Sequence, residues 1–323
     1  MTEQPPDRPV EDDALVVAAA PPPRPRSRGM LLLRYGFVAA VVIALVVLLW
    51  QQRDLVVESL QSISPGHVAL SLLLGMAGAS MPGFVWRDLL ASQGYRTAPV
   101  AGLRVFFLAQ LGKYLPGGIW NLVAQVDMAR DLRIPARQAA TATFLAVALS
   151  VIAALLVAAG SLPFAIPGLI TTYWWAFLAV PALVILLLPP VVEWWSALAF
   201  RILRRPATPV RLTWPVLIRA TVLMLFSWVL LGLHFGALVQ GLGGSGASLW
   251  LMSIGVFALA WVAGFLVLVA PAGAGIREAA LVLGFAAVLP AGAVLTVAVL
   301  SRVVLVAADV LLAVGLAVAG RRR

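Results

Sequence analysis

The residues able to do chemistry in this chain are few. Lys113 is the sole lysine among 323 residues, Arg277 and Glu278 are neighbours, and Glu278 and Asp309 are the only acids after Glu193. Arg302 and Asp309 are seven positions apart, so a helix through them carries both on one face. Lys113 and Arg277 each lie beside a Pro/Gly-rich break, where free backbone N–H groups and a helix N-terminal dipole favour an anion; the chemistry they suit is phosphate binding. The competing readings are snorkelling of Lys113 to an interface and a structural ion pair for Arg277–Glu278. Arg302 and Asp309 can pair with each other or with Arg277–Glu278, and a buried acid can also titrate and couple movement to protons.

The same inventory excludes much. There is no cysteine, hence no disulfide or thiolate chemistry, and the two histidines, His67 and His234, are too far apart in sequence to suggest a zinc site. His234 reads as a hydrogen-bonded helix residue. No Walker loop and no Gly-x-Ser-x-Gly elbow occurs. The expectation is therefore a protein that is not an enzyme, with no metal and no cofactor; a membrane-embedded transferase is the weaker alternative, since acid–base pairs exist but no nucleophile stands out, and any transport would be passive or ion-coupled rather than ATP-driven.

The elements that must position these residues are membrane helices. The chain is 62% hydrophobic and 11% charged, with a mean hydropathy of +1.02, which marks a polytopic membrane protein. Residues 138–192 and 220–276 carry no charge. The net charge of +10 comes from arginines in short loops; it fits the positive-inside rule and not nucleic-acid binding. Residues 1–29 read as a disordered cytosolic tail, and 30–323 as a single transmembrane domain. Spans are expected at about 31–50, 66–86, 138–162, 170–191, 212–241 and 292–319. Arginines flanking 105–129 (Arg87, Arg96 and Arg104 before it; Arg130, Arg133 and Arg137 after) predict a re-entrant hairpin there. A second hairpin is expected over 248–289. Eight spans is the other count consistent with both termini in the cytosol, if 248–270 and 276–289 cross.

Each hairpin centres on a proline-glycine turn. The first is Gly112-Lys113-Tyr114-Leu115-Pro116-Gly117-Gly118-Ile119-Trp120, and the second is Ala270-Pro271-Ala272-Gly273-Ala274-Gly275-Ile276-Arg277-Glu278. No helix runs undisturbed through such sequence. At membrane depth, broken backbone survives only where protein or a water-filled cavity supplies hydrogen-bond partners. Pro116 and Pro271 are 155 positions apart, and the same offset relates Pro135-Ala136 to Pro290-Ala291, Thr141 to Thr296 and Leu145 to Leu300. Halves at about 66–165 and 212–320, oppositely oriented by their charge bias, make an inverted repeat of the secondary-transporter kind. Asn121 and Gln125 on the return arm of the first hairpin are candidate headgroup contacts. Tyr114, Trp120, Trp174 and Trp175 are expected interface anchors. Gly75, Gly78, Pro82 and Gly83 are expected to permit close packing or a kink.

Leu111 to Trp120 resembles a signature of the lysylphosphatidylglycerol synthase transmembrane, or flippase-like, family. Pro271 to Ala279 resembles its second signature, and Arg302 with Asp309 its closing helix. The resemblance covers roughly 30–320. It implies an integral inner-membrane protein of the bacterial cytoplasmic membrane that handles lipid. The aminoacyl-transferase domain of the two-domain members has no counterpart in this sequence. Two positions depart from the family pattern: Gln125 replaces a basic residue, and Thr141 to Ser150 contain no acid.

The residues expected to contact substrate are Lys113, Pro116, Gly117, Gly118, Trp120, Asn121, Gln125, Pro271, Gly273, Gly275, Arg277, Glu278, Arg302 and Asp309. The expected function is a lipid flippase for an anionic lipid or a lipid-linked phosphate of polyprenyl-phosphate type. The alternative is a non-transporting membrane partner of a glycosyltransferase or lipid-modifying enzyme, with loop 201–211 and tail 1–29 as contact surfaces.

Overall fold

The computed structural model describes residues 63–115, 119–202, 212–244, 246–266 and 275–320, with isolated helical residues between 36 and 51. The tail 1–29, most of the expected span 31–50, loop residues 203–211, and Pro116, Gly117, Gly118, Pro271 and Gly273 lie outside the described residues. Residues 39–323 form one compact unit. Every regular element among the described residues is helical.

The helices are α1 (Pro65–Ser92), α2 (Pro99–Gln110), α3 (Trp120–Ala129), α4 (Ala136–Ala165), α5 (Leu169–Phe177), α6 (Ala179–Ile185), α7 (Pro189–Ile202), α8 (Trp214–Gly241), α9 (Ala247–Leu266), α10 (Ile276–Phe285) and α11 (Ala291–Ala319). Short 3-10 turns cover Leu111–Tyr114 and Arg130–Leu132. Proline sets many of the starts. Pro65 and Pro99 occupy the first helical turn, where a missing N–H costs nothing, and Pro135 and Pro290 are the N-caps of α4 and α11.

Five helices among the described residues, α1, α4, α8, α9 and α11, are long and apolar enough to cross a membrane. The protein is therefore a multi-pass membrane protein. Four of the five match the expected spans at 66–86, 138–162, 212–241 and 292–319. The fifth, α9, was expected as an arm of a hairpin or a span. The expected span at 170–191 is not one continuous helix; a sixth span exists only if the bent pair that begins at Ala179 is counted as one. The chain there is divided into α5 and α6, with non-helical backbone at Tyr173, and α6 meets α7 at 86°. Pro189 and Pro190 explain the second break: two successive residues without N–H cannot continue α6. At 10 residues, about 15 Å long by helical rise, α10 is too short to cross alone. The eight-span count therefore loses the span at 276–289.

The helices pack in a set of matched pairs. α1 lies along α8; α4 packs on α9 as α11 packs on α2; α11 packs on α1 as α4 packs on α8; and α3 and α10 each return onto the long helix that follows them. Pro82 sits inside α1 and cannot donate to the carbonyl of Gly78, one turn earlier. Ser227 Oγ of α8 supplies that bond at 2.8 Å, so the break in the ladder is satisfied across the helix pair. Above it, buried His234 of α8 joins three helices: Nδ1 lies 2.7 Å from Ser71 Oγ and 3.0 Å from the Ser71 carbonyl, and Nε2 lies 2.8 Å from Ser301 Oγ. The carbonyl can only accept, which puts the ring proton on Nδ1 and leaves Nε2 to accept from Ser301. His234 is thus a hydrogen-bonded helix residue, as expected. At one end of the same pair Arg219 Nε reaches Asp88 Oδ2 at 3.0 Å.

Candidate functional site

The first proline-glycine sequence breaks the chain as expected. α2 ends at Gln110, tightens into the 3-10 turn Leu111–Tyr114, and the chain resumes helix at Trp120. The turn and the start of α3 are pressed together at Gly112. A Cβ there would sit 2.8 Å from the Asn121 backbone nitrogen and 2.9 Å from the Trp120 carbonyl carbon, so only glycine fits. After the second break, α10 is capped by Gly275, whose φ of +86° is a conformation that side chains resist. The Gly275 N–H donates to Glu278 Oε2 at 2.6 Å, half of a capping box.

Residues flanking both breaks line one cavity of about 300 Å³, bounded by α1 to α4 and α8 to α11. Lys113, Asn121, Gln125, Arg277, Arg302 and Asp309 of the expected set all line it, joined by Tyr114 and Gln110. Its apolar wall comes from α8 and α9, with Trp228, Phe257, Trp261 and Phe265. Trp261 stacks on Phe265 with centroids 5.2 Å apart, and Trp228 Nε1 donates to the Ser150 carbonyl at 2.9 Å.

The charges are ordered by α11. Asp309 is buried and takes Lys113 Nζ at 2.6 Å and the Tyr114 hydroxyl at 2.5 Å on the same oxygen. Two turns away, Arg302 Nη1 lies 3.4 Å from Glu278 Oε1. Arg302 and Asp309 thus share a face, but each pairs with a residue beside a different break. The Arg277 guanidinium stacks 4.7 Å from the centroid of Phe257. Asn121 Nδ2 donates a long 3.4 Å bond to Gln110 Oε1.

Three expectations change. Tyr114 is not an interface anchor but a donor to Asp309. Trp120 is 41% exposed and is not part of the cavity lining. Gly275 acts as a cap and is likewise outside that lining. Gln110, Tyr114 and Phe257 were missed as site residues. Tyr114 adjoins Lys113, a signal available in sequence, but nothing in the sequence ties it to Asp309, 195 positions away.

The family model described as the lysylphosphatidylglycerol synthase transmembrane region matches residues 37–313. The chain belongs to this family. In this member the two motif regions, Lys113–Tyr114 and Arg277–Glu278, both converge on the closing helix α11. No curated protein matches the chain.

Proposed function

We propose that this protein is a flippase-type lipid transporter of the bacterial cytoplasmic membrane, acting on an anionic lipid or a lipid-linked phosphate without ATP. One observation carries the reading: a cavity between apolar helices where Lys113, Arg277 and Arg302 meet Asp309 and three carboxamides. An ionisable group amid membrane helices is costly and marks a substrate pathway more often than a packing site. The cavity admits the headgroup while the tails stay in the bilayer. Lys113, Arg277 and Arg302 neutralise phosphate, and Glu278 and Asp309 set their geometry or carry protons.

The inverted repeat is part of the proposal. Its support is the succession of helix lengths, 28, 12, 10 and 30 residues for α1 to α4 and 28, 20, 10 and 29 for α8 to α11. Exchanging the two sets leaves the pattern of packed pairs unchanged. The arginine bias orients them oppositely, so the breaks enter as re-entrant hairpins from opposite faces, with both termini cytosolic.

The test is reconstitution of the full chain with NBD-labelled lipids and dithionite quenching. Quenching of inner-leaflet probe well above the empty-liposome rate is expected, and it should fall in Arg277→Ala. Loss of signal at the empty-liposome rate alone, with correctly folded protein, would refute the transport reading and favour a scaffold for a partner enzyme.

A further inference from the structure

Lys113 and Asp309 form an unequal pair. The ammonium is 35% exposed and lines the cavity, whereas the carboxylate it meets at 2.6 Å is 4% exposed. An anion that enters the cavity competes with Asp309 for Lys113. The lysine stem is flexible and its charge compact, so the ammonium can turn from the carboxylate to the anion. Asp309 cannot follow, because it is short, buried and fixed on α11.

The exchange strips the cation from a buried oxygen. What stays on that oxygen is the Tyr114 hydroxyl at 2.5 Å, a neutral donor that serves a carboxyl group as well as a carboxylate. The other charged and titratable groups of the surrounding helices have partners of their own. Arg302, two turns away on α11, meets Glu278 of α10, and Arg277 of α10 rests on Phe257. His234 of α8 lies between Ser71 and Ser301, and Arg219 of the same helix meets Asp88 of α1. On α1, Arg87 donates to the Thr97 carbonyl and His67 bonds Ser64. Arg104 of α2 lies beside Gly320, past the end of α11. A buried carboxylate that loses the cation on its oxygen is disfavoured in its charged form and gains a proton.

Glu278 does not offer the same exchange. Its Oε2 keeps the Gly275 N–H at 2.6 Å, a backbone donor that cannot swing away. Its cation, Arg302, is 8% exposed, against 35% for Lys113. We infer that anion binding in this cavity is coupled to proton uptake by Asp309, so that one proton enters with each singly charged headgroup. Before the exchange the ammonium and the carboxylate cancel. Afterwards the ammonium cancels the phosphate and the Asp309 carboxyl is neutral. One O–H bond forms on Asp309, the proton comes from water on the side to which the cavity is then open, and the net charge of the loaded site equals that of the empty one. The inference rests on the cavity being the headgroup site proposed above, and it gives that site a driving force: the lipid moves with the proton, down a pH gradient. The aromatic wall of Trp261 and Phe265 favours a lipid over a free phosphate as the anion.

The experiment is isothermal titration calorimetry of the full chain in detergent, with dioctanoyl phosphatidylglycerol as the anionic probe. Runs in buffers of different ionisation heat give the number of protons taken up. Wild type should take up between about half and one proton per lipid, and its affinity should fall as pH rises, by at most about tenfold per pH unit. Asp309→Asn should take up none and lose the pH dependence, while Glu278→Gln should still take up a proton. Binding without proton uptake by wild type overturns the inference however the variants fold, and so does uptake that persists in Asp309→Asn. Inorganic phosphate at the same concentration should not produce the effect; equal uptake with it overturns the assignment to lipid. The dithionite assay, repeated with a pH difference across the vesicle, separates the two readings. Proton uptake without lipid movement removes transport and keeps the coupling. Lipid movement with no proton uptake and no response to the pH difference does the reverse.

Discussion

Asp309→Asn is the most revealing perturbation of the site. The substitution keeps the volume and removes one charge. In the native protein a single buried carboxylate oxygen accepts from Lys113 Nζ at 2.6 Å and from the Tyr114 hydroxyl at 2.5 Å. Hydrogen bonds to a charged group contribute about 1.5–3 kcal/mol each, and those between neutral groups about 1 kcal/mol. Asn can still accept from Tyr114, so that bond weakens rather than vanishes. The Lys113 bond loses its ionic partner, but the ammonium is 35% exposed and can relax toward water in the cavity. That relaxation rules out the full penalty of about 3–5 kcal/mol for an orphaned buried charge. The expected loss is about 2–3 kcal/mol in all. A double-mutant cycle with Lys113→Met isolates the ion pair. The doubly substituted protein should be less damaged than the sum of the single losses by about 1–2 kcal/mol, within the range seen for coupled neighbours. The assay is equilibrium unfolding in detergent micelles, followed by tryptophan fluorescence. Strict additivity, or a single-variant loss below about 0.5 kcal/mol, the size typical of an isolated surface change, would refute the reasoning, because Lys113 and Asp309 would then not be energetically joined.

Other predictions follow from the same geometry. Ser227→Ala should destabilise by about 1–3 kcal/mol because the Gly78 carbonyl loses its donor, and the cost should shrink in a Pro82→Ala background, where residue 82 regains an N–H. Gly112→Ala should cost about 1–3 kcal/mol by overpacking and should lower lipid flux, since the added Cβ meets backbone at 2.8 Å; unchanged flux and unfolding would show that the break is looser than described. With no native cysteine, single cysteines at Arg130, Arg201 and Gly320 should all react with impermeant maleimide from the cytosolic side only, and labelling of any from outside would break the proposed topology.

Much of this architecture is legible in the sequence because apolar runs and proline are strong local signals. Pro135 and Pro290 announce α4 and α11, and the apolar runs after them carry each helix across. The breaks within the expected span at 170–191 escape notice for the complementary reason. Hydropathy reports affinity for the membrane but is silent on straightness, and the decisive residues, Pro189 and Pro190, sit at its very edge. The first break and the cluster of Lys113, Arg277, Arg302 and Asp309 could be anticipated, since charge within apolar sequence is conspicuous. Their pairing could not. Lys113 finds Asp309 across almost two hundred positions, and Arg302 chooses Glu278 over its own helix neighbour. Those choices are made by which helices abut, and only the packing of α2 and α10 against α11 decides them. Ser227 shows the same limit: Pro82 foretells an unserved carbonyl, but no local pattern says which helix serves it.

α11 also has a mechanical meaning. Its Arg302 and Asp309 stand about 10 Å apart along the axis, at 1.5 Å per residue, and each grips the end of a different interrupted helix. A slide of α11 by one turn, about 5.4 Å, would release both grips in a single stroke. The two interruptions are therefore tied to one helix. α11 is thus the shared tie of the two interruptions, and in the transporter proposed above a displacement at one would be passed to the other. In that reading, the interlock would keep the pathway from standing open at both ends.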